Sequence, residues 1–355
     1  MSRLAALVVA AAALLAALAL VLVANRYSMP AGAASAGQSD LTMYALIADR
    51  MRQGQSYYAA AHEALLQGAY GTRSVFNWRL PTLATLESLL PSEVWAAWLL
   101  RLAALGAGLL ALLMVYRSAG RTAAALLIPA LTLNLISSAL PGAAIFADTV
   151  AGVLILISAS AYGLKRPALG FAAALLALTV RELAAPYVVI CILFAWRERR
   201  PAELWAWLAG LAAFGAYFAW HYSMVEAQLG PGDVAYPEGW LQFGGPGFML
   251  TTARFNGMLL AAPLWVTAIL LPFCLLGRAG WRGSCGARIG LTVAAYVALF
   301  TLAGKPFDYY WGALYTPLMM VGLPFLPAAV RDLAASLGLR RARQDTVPAP
   351  SIRAV

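Results

Sequence analysis

Hydrophobic and polar positions along this chain alternate in blocks. Apolar runs approaching or exceeding the ~18 residues that cross a hydrocarbon core of about 30 Å are separated by short Arg-rich stretches. With a window near 19 residues the runs fall at 4–24, 95–116, 122–140, 149–164, 204–222, 256–277, 289–303 and 311–327. The stretch between Lys165-Arg166 and Arg197 to Arg200 is about 30 residues long, and as one helix would measure about 45 Å. Such a helix would also bury Arg181 and Glu182 at its midpoint, at roughly 2.5–3.5 kcal/mol per charge. Two short helices, 167–180 and 184–196, leave that pair at the outer surface, and Pro186 supports the break.

This pattern predicts an all-α polytopic membrane protein of about ten transmembrane helices. The parity follows from the positive-inside rule. Ten spans put Arg3, Arg117 and Arg121, Lys165 and Arg166, Arg197 to Arg200, Arg278 to Arg288 and the basic tail on the cytoplasmic side. Nine spans would turn the last two groups outward. Both termini are therefore expected in the cytoplasm, with 1–330 a single transmembrane domain and 331–355 a disordered basic tail. The outer face then receives every long loop: 25–94, with amphipathic interfacial helices, 223–255, and the shorter segment 305–311.

Composition agrees: 62% of the residues are hydrophobic and 11% charged, against about 25% charged in soluble domains. A soluble fold is excluded. The formal charge of +10 sits in short clusters between apolar runs, which orients a membrane protein and does not describe a nucleic-acid surface. Cys191 and Cys274 lie in apolar runs and Cys285 in a basic loop, so neither a disulfide framework nor a CxxC site is readable. The first run exceeds the 7–15 residues of a signal h-region, favouring an uncleaved first helix in a bacterial-type inner membrane.

Candidate chemistry lies in the outer loops. Leu41, Tyr44, Ala45, Ala48 and Met51 recur at helical spacing, with Ser39 or Asp40 placed as a cap. Tyr57-Tyr58 and His62-Glu63 follow; the latter lacks the second histidine of a zinc motif. The run Asn77-Trp78-Arg79-Leu80-Pro81 combines amide, aromatic and guanidinium groups, which suits a sugar or phosphate and equally an interfacial anchor.

An acidic residue soon after the first span, Asp40-x3-Tyr44 followed by Gly54, the Tyr57-Tyr58 pair, and short paired helices around Arg181-Glu182 resemble the GT-C superfamily of integral-membrane glycosyltransferases. That likeness covers roughly the first 200 residues in layout and the rest in topology alone. It implies sugar transfer from a polyprenyl-phosphate donor to a lipid or glycan acceptor among membrane lipids on the non-cytoplasmic face. By the same likeness Asp40 is the general base, with Asp49 a second choice. Arg181, Arg254 and Lys305 stand at span ends as candidates to hold the donor phosphate. Tyr44, Tyr58, Asn77, Trp78, Arg79, Asp148 and Glu182 are candidate substrate contacts. No Asp-x-Asp pair is present, so a metal-independent reaction is expected, with a divalent metal left open. The alternatives are a secondary transporter, which calls for paired discontinuous helices, and a non-catalytic scaffold.

Overall fold

The computed structural model describes residues 2–28, 33–235, 242–281 and 283–338. The tail residues Arg340, Arg341, Arg343 and Arg353, together with Arg282 and part of the 223–255 loop, lie outside them. Among the described residues the fold is entirely helical. It consists of α1 (Arg3–Arg26), α2 (Ala33–Arg52), α3 (Tyr57–Gln67), α4 (Pro81–Ser88), α5 (Glu93–Leu135), α6 (Ala147–Gly163), α7 (Pro167–Val180), α8 (Ala185–Arg197), α9 (Pro201–Glu226), α10 (Gly245–Arg254), α11 (Leu264–Ala279), α12 (Ser284–Leu302), α13 (Thr316–Val321) and α14 (Leu326–Ser336).

Among the described residues five helical runs are long and apolar enough to cross a membrane: α1, α5 with its terminal turn, α9, α12, and the run Thr316–Ser336. The shorter apolar helices α6, α7 and α11 pack among them. This is a membrane protein. Helix α1, capped by the Ser2 hydroxyl on the Ala5 N–H at 3.2 Å, is apolar all round and leaves Leu4, Leu7, Leu14 and Leu18 exposed, as a lipid-facing helix does. Helix α5 is two arms, because Gly120 takes φ 82° in its middle, a conformation open to glycine. The arms fold back antiparallel, so that Arg101 Nη2 donates to the Ala139 carbonyl at 3.2 Å. The expected runs 95–116 and 122–140 are these arms.

The expected break inside 165–200 is present. Helix α7 ends at Val180, Arg181 is extended at φ −149°, and a 3-10 turn, Glu182–Ala184, leads into α8. Its setting differs from expectation. Arg181 is fully buried in the protein and does not lie at the surface, because its charge is matched by carboxylates on two sides.

The expected run 311–327 is not one helix. A 3-10 stretch, Pro306–Leu314, leads into α13, a second 3-10 turn and α14. Pro306, Pro317, Pro324 and Pro327 interrupt the ladder by removing N–H donors. Helix α14 also carries regular structure past residue 330. The run expected from 256 begins as a helix only at Leu264.

The first outer loop folds on itself. Met43, Ile47, Tyr57, Tyr58, Ala61, Leu65 and Trp78 form a small core against Val225 of α9. Helix α2 begins at Ala33, so Asp40 lies well inside it and caps nothing. Its buried face runs through Asp40, Met43, Ile47 and Ala48. That face is turned about one residue from the expected Leu41-Tyr44-Ala45 stripe, and it packs on α3, α4 and the 306–314 stretch.

Candidate functional site

Asp40 and Tyr44 are one turn apart on α2 and point the same way. Asp40 is buried; its Oδ1 accepts from the Tyr70 hydroxyl at 2.6 Å and its Oδ2 from the Tyr310 hydroxyl at 2.9 Å. The Tyr44 hydroxyl accepts from Arg79 Nε at 2.8 Å, and the Arg79 guanidinium lies 5.8 Å from the centre of the Tyr44 ring. Arg79 also donates to the Phe76 carbonyl at 3.2 Å and to the Tyr310 hydroxyl at 3.2 Å.

Arg79 holds this position at φ 57°, a strained conformation that persists only where its surroundings impose it. They do so here. The Tyr57 hydroxyl bonds the carbonyls of Trp78 and Arg79. Trp78, buried and stacked on His62, donates its ring N–H to Thr72 at 2.7 Å. The turn then enters α4 at Pro81, which suits a first helical position.

From the far end of the sequence, the 3-10 stretch brings Lys305, Asp308, Tyr310 and Trp311 to the same cavity, which Asp40, Tyr44, Tyr70, Asn77 and Arg79 also line. The stretch is seated by close backbone approaches. A Cβ on Gly152 of α6 would lie 2.0 Å from the Ala313 carbonyl oxygen, and one on Gly312 would lie 1.8 Å from that of Thr252. Burial pushes the Asp308 carboxyl up to about 7, outweighing the nearby Arg79 and Arg181 charges. Asp308 Oδ1 lies 3.4 Å from the Tyr310 hydroxyl. The single Tyr310 proton thus has two carboxylate acceptors, Asp40 and Asp308, while Arg79 donates to its oxygen.

A second cavity shares Tyr44 and Arg79 with the first and extends to Asp148 and Glu87. The two have volumes of about 50 and about 30 Å³, enough for water and too small for a sugar without movement of the walls. Behind them Arg181 donates from Nε to Asp148 Oδ1 at 2.8 Å and from Nη1 to Glu182. Its guanidinium lies 5.8 Å from the Trp311 ring, and its Nη2 is buried with no hydrogen-bond partner among the described residues.

Of the residues singled out by sequence, Asp40, Tyr44, Asn77, Arg79, Asp148 and Lys305 line these cavities, and Arg181 with Glu182 forms a layer behind them. Asn77 donates to the Gly71 carbonyl at 2.6 Å. Four lie elsewhere. Asp49 follows Asp40 by nine residues, which is two and a half turns, so it faces outward and pairs with Arg52 at 2.5 Å. Tyr58 bonds His221 at 3.0 Å in the outer-loop core. Trp78 is structural, as described above. Arg254 spends its donors on the carbonyls of Leu259 at 3.1 Å and Leu260 at 2.9 Å.

Tyr70, Asp308, Tyr310, Trp311 and Glu87 are among the cavity residues that sequence reasoning did not assign. The density of charge and aromatic rings over 305–311 was the available signal for three of them. No family model, curated protein or solved structure matches this chain.

Proposed function

We propose that the chain is an integral-membrane glycosyltransferase of the GT-C kind. It moves a sugar from a polyprenyl-phosphate donor to a lipid or glycan acceptor at the non-cytoplasmic face of a bacterial-type inner membrane, with about ten spans and both termini in the cytoplasm. The observation that carries the reading is the buried Asp40 carboxylate, held by two phenol hydroxyls in a cavity whose walls include the cations Arg79 and Lys305. In this reading Asp40 accepts the acceptor's hydroxyl proton as that oxygen bonds to the anomeric carbon. The bond from that carbon to the phosphate oxygen breaks, and the electron pair leaves with the polyprenyl phosphate. Arg79 and Lys305 meet the departing charge, and Arg181 adds positive potential from behind. Attack opposite the leaving group inverts the anomeric centre.

The test is sugar transfer in membranes containing the native chain or Asp40→Asn, with a panel of polyprenyl-phosphate sugars. The variant is expected to insert normally and lose transfer by about 10²–10⁴-fold. Full transfer by the variant would remove Asp40 from the mechanism. A transporter is the second reading, supported by the two interrupted regions at 181–184 and 306–325 around buried charges. Solute flux by native protein that transfers no sugar would favour it.

A further inference from the structure

Glu87 ends the short outer helix α4 and is 4% exposed, with its Oε1 buried and without a hydrogen-bond partner among the described residues. It lines two spaces. On one side is the polar cavity of Tyr44, Arg79 and Asp148. On the other is a groove of about 180 Å³ between α4, α5 and α6, walled almost wholly by apolar side chains such as Leu86, Leu100, Ala103, Val153 and Leu154. Leu83 belongs to both spaces as well, so the groove and the cavity adjoin at Leu83 and Glu87. Leu86 and the neighbouring Leu99 are also exposed on the outside of the fold, which gives the groove a side facing lipid.

A purely apolar ligand would leave Glu87 and Arg79 against a chain that cannot bond them, and a purely polar one would leave the groove unused. The pair of spaces suits an amphiphile with an anionic head. Resting on the reading of the previous subsection, we infer that Glu87 is the hydrogen-bond donor that receives the phosphate of the lipid-borne donor where its chain enters from the groove, so that binding of that amphiphile requires a protonated Glu87.

Burial pushes the Glu87 carboxyl up to about 8; Arg52 of α2 opposes the shift and Glu93 at the start of α5 adds to it. Tyr44, Tyr57, Arg79 and Asp148 face it across the cavity. Tyr44 is pushed up to about 12 by burial and Tyr57 well above its ordinary value, so neither loses its proton near pH 8. Asp308, in the adjoining cavity, ionises near 7. Below about 8 Glu87 is an acid that donates to an anion; above it, a carboxylate that repels one. Affinity therefore falls as pH rises through about 8.

The experiment measures binding of a long polyprenyl phosphodiester to the purified full chain by tryptophan fluorescence, between about pH 7.5 and about pH 9.5, a window around the Glu87 value and above that of Asp308. The phosphodiester carries one charge throughout that window. Native protein is expected to lose about tenfold in affinity, the worth of one hydrogen bond to a charged group. Glu87→Gln, which keeps an N–H donor, should bind with little pH dependence. Ala103→Trp, which fills the groove, should lose the long chain while still binding dimethyl phosphate. An unchanged pH slope in Glu87→Gln, equal affinity for dimethyl phosphate and the long chain, or no binding of the long chain would each overturn the inference. Proton-linked binding without any sugar transfer would overturn only the transferase reading.

Discussion

At the scale of single residues the cavity turns on one proton, that of Tyr310, which Asp40 and Asp308 both accept. While Asp308 is protonated, Tyr310 is free to donate to Asp40. When Asp308 ionises, near 7, it competes for that proton and frees an Asp40 oxygen to accept one from a substrate hydroxyl. Sugar transfer is therefore expected to rise with pH through about 7, and Asp308→Asn should flatten that limb of the profile; a limb unchanged in the variant would exclude Asp308 as its source. Stability runs the other way. A carboxyl raised from 3.8 to about 7 binds its proton more tightly in the folded state. Its contribution is fully present below about 4 and is lost as pH rises to about 7. Thermal unfolding of native protein and Asp308→Asn should diverge across that window. Asp40 was legible as a candidate because a carboxylate just past a membrane span is conspicuous. Tyr70 and Tyr310, its two partners, are separated from it by 30 and 270 residues, and nothing local in the sequence marks tertiary contacts of that range.

At the scale of elements, two breaks build the site. The first, at Arg181, was readable from length and charge: a 30-residue helix is too long, and a midpoint Arg-Glu pair too costly. The burial of Arg181 was not readable, because it depends on Asp148, supplied by a different helix at 2.8 Å. Removing one member of such a buried pair strands the other, so Arg181→Met should destabilise the fold by about 3–5 kcal/mol, and Arg181→Met with Asp148→Leu should recover part of the loss. Denaturant titration in detergent measures the two single changes and the double; a double change that costs the full sum of the singles would mean that the ions are not coupled. The second break, the 306–314 stretch, straddles the expected boundary between the outer segment 305–311 and the run from 311. Pro306 at its start and the close backbone approach at Gly152 make it a seated 3-10 segment. A methyl at Gly152 meets a backbone carbonyl that cannot turn aside, so Gly152→Ala is expected to cost about 1–3 kcal/mol. It should also reduce transfer more than a methyl added at Gly106, which has open space around it; equal effects at the two glycines would argue against a role for this seat in positioning Tyr310.

For the whole molecule, the distribution of charge and the distribution of chemistry point to opposite faces. The proposed site is assembled from the first outer loop and from helix ends that meet it, while Arg117, Arg121, Lys165, Arg166 and the 197–200 cluster gather at the other ends of the same helices. Apolar run lengths recovered the long helices α1, α5, α9 and α12, because the solvent of a membrane core demands them. The proposed side of the membrane for each end rests instead on the excess of Arg and Lys, which the positive-inside rule assigns to the cytoplasm. The α5 hairpin makes this testable, because Gly120 turns the chain between its arms and both ends of the hairpin approach the site layer. In a Cys285→Ser background, with Cys191 and Cys274 buried, a cysteine at exposed Gln53 should react with an impermeant maleimide in intact cells. One at exposed Ser118, beside the Gly120 turn, should react only after the membrane is opened. Labelling of Ser118→Cys in intact cells would invert the orientation and place the Asp40 cavity on the cytoplasmic side. A transferase there would draw on cytoplasmic donors, and the polyprenyl-phosphate reading would fall with the topology.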